Sequence, residues 1–298
     1  GFGMLMIYSS SSYTAQVKNQ DSTYFLKHQA MNVLLGAIAM LVAIKFDYRM
    51  FIRPLFAIRL RLVNVLYVVS VVLQIWVLID GSGLNGAKRW LSILGVSFQP
   101  SELTKVILIL VTAYYLYAIP ESFSSTKALL RVFLPILIPV ALIASQDLSS
   151  ALVIFIVAFG MCTVRLKNKF PLFVLGIVGI VLVLLYIFVI GSSFRQDRIE
   201  IWKDPEGHPK GGQIVHGLYA IASGGLFGSG LGESMQKLGF LPEPYNDMIF
   251  SVICEELGLI GAGIVIVMFI FICWRIYGIA TRTADLYGAL ICSGVMVH

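Results

Sequence analysis

The strongest constraint on this chain is its series of long apolar runs separated by short polar segments. They fall at 30–44, 62–79, 103–119, 128–144, 148–164, 170–191 and 248–274, with shorter runs at the two ends, 1–8 and 286–298. About 20 consecutive apolar residues carry a helix across the hydrocarbon core of a bilayer. That core holds no water, so the backbone must satisfy its own hydrogen bonds; with no β-alternation in the runs, helices are expected. The expected fold is all-α and polytopic, a single membrane domain over 1–298. A large loop, 192–247, precedes the eighth helix. The first run begins with Gly1 and cannot span alone, and the last stops at His298, so a bundle truncated at both ends is expected.

Composition enters where partners are considered. Charged residues make up only 13% of the chain, against roughly a quarter in soluble domains. The net charge of +6 raises the question of nucleic acid. However, there is no basic tail or RNA-binding aromatic motif, and the cations sit mostly in short loops, so nucleic acid is excluded as a partner. Cys162, Cys254, Cys273 and Cys292 lie in apolar runs without metal-type spacing and read as small buried hydrophobes.

The loops sort by sign. Segments 45–61, 120–131, 165–169 and 275–285 carry twelve Lys and Arg against three acids; 9–29, 80–102, 145–147 and 192–247 carry nine against eleven. The positive-inside rule places the first set in the cytoplasm and the second outside. The four serines opening 9–29 read as helix-end and turn residues. Phe51, Leu55, Phe56 and Ile58 suggest an interfacial helix.

The most informative stretch is 224–258, GGLFGSGLGESMQKLGFLPEPYNDMIFSVICEELG. It opens glycine-rich, passes the stiff Pro242–Pro244 turn and presents Asp247 at the mouth of an apolar run, with Glu255 and Glu256 just inside. Carboxylates at membrane depth are expensive and kept mainly for function. Three other candidates lie in the same outer set. Lys88 and Arg89 precede Trp90 at an interface, a pattern that suits an anionic lipid headgroup or ordinary headgroup anchoring. Gln99, Pro100, Ser101 and Glu102 open the next helix, with Pro100 suited to its first turn. Glu102 and Lys105 share a face three residues apart, as a structural ion pair or as part of a wet cavity. Asp147 before Leu148, Ser149 and Ser150 is a good helix N-cap and lies at the same outer level. His208 and His216 are isolated, and a helix is expected over 213–223.

Together GAKRWL, FQPSELTK, QDLSSA and the 224–258 stretch resemble the SEDS family (shape, elongation, division, sporulation), bacterial polytopic peptidoglycan glycosyltransferases. GLGESMQKLGFLPE is most similar to its division and sporulation members. Some positions depart from the family pattern: Gln146 stands where a proline is usual, Ser149-Ser150 replaces Gly-Thr, and Tyr245-Asn246-Asp247-Met248 replaces His-Thr-Asp-Phe.

The resemblance implies a ten-helix bundle in the bacterial cytoplasmic membrane, working on its outer face. It implies polymerisation of lipid II, an undecaprenyl-pyrophosphate-linked disaccharide peptide, into glycan strands during cell division. Asp247 matches the family's catalytic aspartate, the general base. Lys88, Arg89, Trp90, Gln99, Ser101, Glu102, Lys105 and Asp147 fall at substrate-binding positions. No cofactor is required by any spacing, although a divalent cation, Mg or Mn, could share the pyrophosphate charge at Asp247 or Glu102; no metal site is assigned. The implied partners are a class B penicillin-binding protein (the cross-linking transpeptidase) and other divisome proteins. The alternative function is a lipid II flippase, which would need polar residues reaching the cytoplasmic half, whereas the acids here cluster at outer helix ends.

Overall fold

The computed structural model describes residues 1–54, 60–83, 88–93, 96–120, 125–185 and 193–298. Its helices are α1 (Phe2–Asn19), α2 (Tyr24–Lys45), α3 (Leu62–Asp80), α4 (Pro100–Tyr117), α5 (Ser125–Ala144), α6 (Leu148–Arg165), α7 (Phe170–Leu185), α8 (Ser193–Lys203), α9 (Gly212–Ser223), α10 (Ile249–Arg282) and α11 (Leu286–Val297). Among the described residues α2, α3, α5, α6 and α10 are long and apolar enough to cross a membrane, and α7 and α11 are shorter apolar helices. The protein is an all-α, multi-pass membrane protein. Its chain divides into two compact units, Gly1–Phe46 with Val183–Phe271, and Asp47–Leu182 with Ile272–His298.

Several expected boundaries move. The serines at 9–12 do not end a helix: α1 continues to Asn19, and Ser9, Ser10 and Ser11 are buried within it. Ser10 and Ser12 return their hydroxyls to the carbonyls of Ile7 and Ser9 at 3.3 and 3.4 Å, so the hydroxyls are absorbed without breaking the helix. α10 runs through most of the expected loop 275–285, ending at Arg282. A short antiparallel hairpin, β1 (Leu91–Ile93) with β2 (Val96–Phe98), stands where a plain loop was expected; three-residue strands are too short to show alternation. Phe51 closes a 3-10 turn, Tyr48–Phe51; Leu55, Phe56 and Ile58 lie outside the described residues.

The second unit is a packed bundle of α3, α4, α5, α6, α7 and α11 around Val111, Leu116, Val132, Ile136, Met161, Tyr287 and Leu290. Helices in lipid associate through close packing and interhelical hydrogen bonds. Gly294 of α11 sits where any Cβ would lie 2.7 Å from Ile109 and 2.8 Å from Met161. Gln74 of α3 donates to Thr104 of α4 at 2.9 Å. Pro139 cannot donate to the carbonyl of Pro135 four residues back. The Tyr67 hydroxyl on α3 fills that place at 2.8 Å, so the proline leaves no unpaired carbonyl in the bundle.

The first unit is built on an interruption in α10. At Gly258 the backbone takes φ 67°, ψ −174°, a region open essentially to glycine alone. The helix ladder breaks there, and the glycine-rich chain 224–230 takes over its free groups. Ser229 and Gly230 N–H donate to the carbonyls of Glu255 and Glu256 at 2.9 and 3.0 Å, while Leu259 and Ile260 N–H donate to Gly225 and Leu226 at 2.9 and 3.2 Å. Non-helical backbone at membrane depth is tolerated only with such internal partners. α9 leads into this junction alongside the start of α10 and in the same direction, with Gly217 against Met248 and Ser251, and Gly224 against Cys254. Segment 192–247 is therefore not simply a surface loop. Part of it descends about 10 Å along α10, at 1.5 Å per residue from Ile249 to Glu256.

Gly258→Ala is expected to lose about 1–3 kcal/mol from the backbone conformation alone. The loss should be larger in practice, because a Cβ there would lie 2.4 Å from Gly228 N and Leu226 O. Thermal unfolding in detergent, compared with Gly263→Ala where a Cβ meets nothing within 4 Å, measures it.

Candidate functional site

Glu255 and Glu256 occupy the last turn before the break in α10, and both are buried, 3% and 1% exposed. Each has a complete set of partners. Glu255 accepts from the Ser234 hydroxyl at 2.5 Å and from Met235 and Gln236 N–H at 2.9 and 3.4 Å. Glu256 pairs with Lys237, whose ammonium lies 2.7 Å from Oε1, and accepts from the Ser9 hydroxyl at 2.6 and 2.8 Å. Lys237 is itself only 4% exposed; it donates also to Gly232 O at 2.7 Å and to Ser9 Oγ at 3.1 Å. The sequence singled out the two glutamates but missed Lys237 and Ser9, because their pairing joins positions 19 and 247 residues away from Glu256. A lysine within a glycine-rich apolar stretch was the available signal.

Asp247 contrasts with this cluster. It lies two residues before α10, is exposed, and among the described residues its carboxylate has no hydrogen-bond or ion-pair partner. The turn that presents it is ordered. Asn246 N–H donates to Glu243 O at 3.0 Å, Leu241 N–H to Gln236 O at 3.0 Å, and Tyr245 stacks on Phe25 with ring centroids 4.2 Å apart. Burial, then the Glu243 side chain, pushes the Tyr245 hydroxyl up to about 12, so it stays a neutral phenol beside the aspartate. His216 is not isolated: its Nδ1 lies 3.0 Å from Gln236 Oε1, and its ring meets Phe240 and Tyr219.

The other candidates belong to the second unit. Lys88 and Arg89 converge on the α5–α6 turn: Gln146 Oε1 accepts from Lys88 N–H at 2.8 Å, and Gln146 O accepts from Arg89 Nε and Nη2 at 3.1 and 2.9 Å. Lys88 Nζ also donates to Ile79 O near the end of α3 at 2.7 Å. Both cations thus meet carbonyls at helix C-termini, the negative ends of the helix dipoles. Asp147, next to Gln146, caps α6 by accepting from Ser149 and Ser150 N–H at 3.1 and 3.3 Å. Lys88, Arg89 and Asp147 are therefore neighbours. Trp90 is half-exposed and bridges to Ser82 at the base of the hairpin. Gln99 is the N-cap residue of α4 without a side-chain cap, and Ser101 is buried in the first turn. Lys105 and Glu102 pair at 2.8 Å, with the lysine side chain 13% and the glutamate 54% exposed. The pair is formed, but its acid is not buried. Lys105 also lines a narrow, mostly apolar cavity with Thr112, Ile154 and Ala158.

Among the described residues no three His, Cys, Asp or Glu side chains gather as a metal site.

The chain is thus an all-α multi-pass membrane protein with an interrupted helix, a glycine-rich segment paired to the interruption and, among the described residues, an unpartnered carboxylate at the helix mouth. The FtsW/RodA/SpoVE family, described as cell cycle protein, matches residues 1–298, and this chain belongs to it. It is 36% identical to the probable peptidoglycan glycosyltransferase FtsW of Trichlorobacter lovleyi, covering 99% of this chain and 77% of that protein. It is 33% identical to stage V sporulation protein E of Bacillus subtilis, covering 99% and 79%. The fold matches a chain solved in a study of a peptidoglycan synthase complex that coordinates polymerization and crosslinking (TM-score 0.72, 24% identity, 99% and 82% covered). It also matches the rod shape determining protein RodA of Thermus thermophilus (TM-score 0.63, 24% identity, 98% and 78% covered).

The two ion pairs should separate in a double-mutant cycle. With Glu102 half in solvent, Glu102→Gln and Lys105→Met are expected to couple by only about 0.2–1 kcal/mol. Removing one partner of the Lys237–Glu256 pair is expected to cost about 3–5 kcal/mol, most of it recovered when both are neutralised. Thermal unfolding of the four single and two double variants reads both couplings.

Proposed function

We propose that this protein is a peptidoglycan glycosyltransferase that polymerises lipid II at the outer face of the cytoplasmic membrane during cell division, with Asp247 as general base. What supports the proposal is the family match over residues 1–298, joined to the resemblance that sets Asp247 at the family's catalytic aspartate and to an exposed Asp247 carboxylate that has no partner among the described residues. The acceptor's GlcNAc 4-hydroxyl attacks C1 of the lipid-linked MurNAc on the growing strand. Asp247 accepts the hydroxyl proton, undecaprenyl pyrophosphate leaves with the bonding electrons, and the α-linked donor becomes a β-linkage. A hydroxyl is a poor nucleophile at neutral pH, so a positioned carboxylate lowers the barrier.

The leaving group needs its charge held. Lys88, Arg89 and Lys105 are the cations proposed for it. Among the described residues Lys88 Nζ has a single acceptor, Ile79 O, which leaves donors for an anion. Trp90 is proposed to border the polyprenyl chain; Gln99, Ser101, Glu102 and Asp147 are proposed to order Lys105 and the sugar. The partner proposed is a class B penicillin-binding protein within the division machinery, which would cross-link the strands made here.

Asp247→Asn should insert and fold while polymerisation falls about 10²–10⁴-fold; product length and rate on gels, with purified lipid II, measure it. Wild-type rates from Asp247→Asn would remove Asp247 from the mechanism. Orientation has its own test. A thiol introduced by Glu206→Cys should react with an impermeant maleimide on spheroplasts, and one introduced by Lys167→Cys should not; the reverse pattern would put the reaction on the wrong side.

A further inference from the structure

We propose that the buried cluster of Lys237, Glu256 and Ser9 is the positioning device of the Asp247 turn, so that these residues act on the reaction through Asp247 without touching substrate. The proposal rests on Asp247 being the general base. Asp247 has no side-chain partner among the described residues, so its backbone alone decides where the carboxylate stands.

That backbone is a short closed loop with both ends on one helix. At one end Asp247 runs into α10 at Ile249. At the other, residues 234–237 are fastened to side chains two turns further along the same helix. Ser234, Met235 and Gln236 hold Glu255, and Lys237 holds Glu256. Nine residues, 238–246, separate the last anchor from the aspartate. Within them Leu241 is buried against Ala220 and Val252, and Glu243 takes a left-handed φ of 51°. Any shift of the Lys237 anchor must move the loop.

The chemistry of the cluster fits positioning and nothing else. All three ammonium donors of Lys237 are used, on Glu256 Oε1, Gly232 O and Ser9 Oγ, and its side chain is 5% exposed against 0% for Glu256. Neither residue has a surface to offer a substrate. Ser9 brings in α1, which ties the loop anchor to a second helix of the unit. Glu255 keeps its own hydrogen bonds when Lys237 is neutralised. The expected result of losing the pair is therefore a shifted turn on a segment that stays attached.

The test uses the full-length protein with the exposed Cys273 and the half-buried Cys292 replaced by serine. Asp247→Cys supplies a thiol whose maleimide reaction rate is read with and without Lys237→Met/Glu256→Gln, a double change that removes both buried charges together. Ser149→Cys, in the other unit, is the control. The rate at position 247 should change several-fold while the control holds. With Asp247 intact, the double variant should lose kcat by up to about 10²-fold, the scale for misplacement by an ångström, at a lipid II KM within about threefold of wild type. If the double variant folds poorly, Ser9→Ala, which leaves the charges paired, should move the same two readouts in the same direction. Unchanged labelling, or wild-type kcat at wild-type melting temperature, would overturn the proposal. Full polymerisation by Asp247→Asn alongside a labelling shift would overturn the general-base role alone.

Discussion

A helix broken at Gly258 within an apolar span leaves buried backbone donors and acceptors in need of partners, and the first unit is arranged around supplying them. The partners come from the chain at 225–230, through four hydrogen bonds running in both directions between the two backbones. Side chains are nearly excluded from this contact: a Cβ on Gly224 would lie 2.0 Å from Cys254 O, and one on Gly228 2.1 Å from Glu256 O. The glycine-rich composition of 224–232 follows from that close approach and from the positive φ at Gly225, Gly228, Gly230 and Gly232. Once this segment lies against α10, Lys237 is carried to Glu256 and Ser234 to Glu255. The buried charges are a consequence of the backbone exchange and reinforce it.

Much of this was legible in the sequence, for a physical reason. In a bilayer, hydrophobic length and helix are nearly synonymous, so α3, α5, α6 and α11 fall within a few residues of the runs that announced them. Pro100 at the start of α4, Asp147 capping α6 and a helix from Gly212 to Ser223 were local signals and appear as local structure. What failed was reading the serines at 9–12 as the end of a helix and the polar segment 192–247 as a plain loop. Ser9, Ser10 and Ser11 are polar and deeply buried: Ser9 finds a glutamate across the fold and Ser10 returns its hydroxyl to its own helix, while the Ser11 hydroxyl has no partner among the described residues. Segment 192–247 reads as a loop by hydropathy, yet its glycines are at membrane depth because their partners are backbone groups, which hydropathy does not count. Glu102 was expected to be buried and is half in solvent, since a first-turn glutamate can swing outward while still reaching Lys105.

Asp247, Glu255 and Glu256 divide by what surrounds them. Glu255 and Glu256 have every oxygen occupied by a serine hydroxyl, a backbone N–H or an ammonium, and are sealed from solvent. Removing one partner of the Lys237–Glu256 pair would strand the other as a buried charge. Asp247 is the reverse, open to solvent and unpartnered among the described residues. In sequence the three acids lie within ten residues and look alike. Glu255 and Glu256 hold the chain at 234–237, whereas Asp247 stands exposed, and on the positioning proposal it is those fixed anchors that set the place of the Asp247 turn.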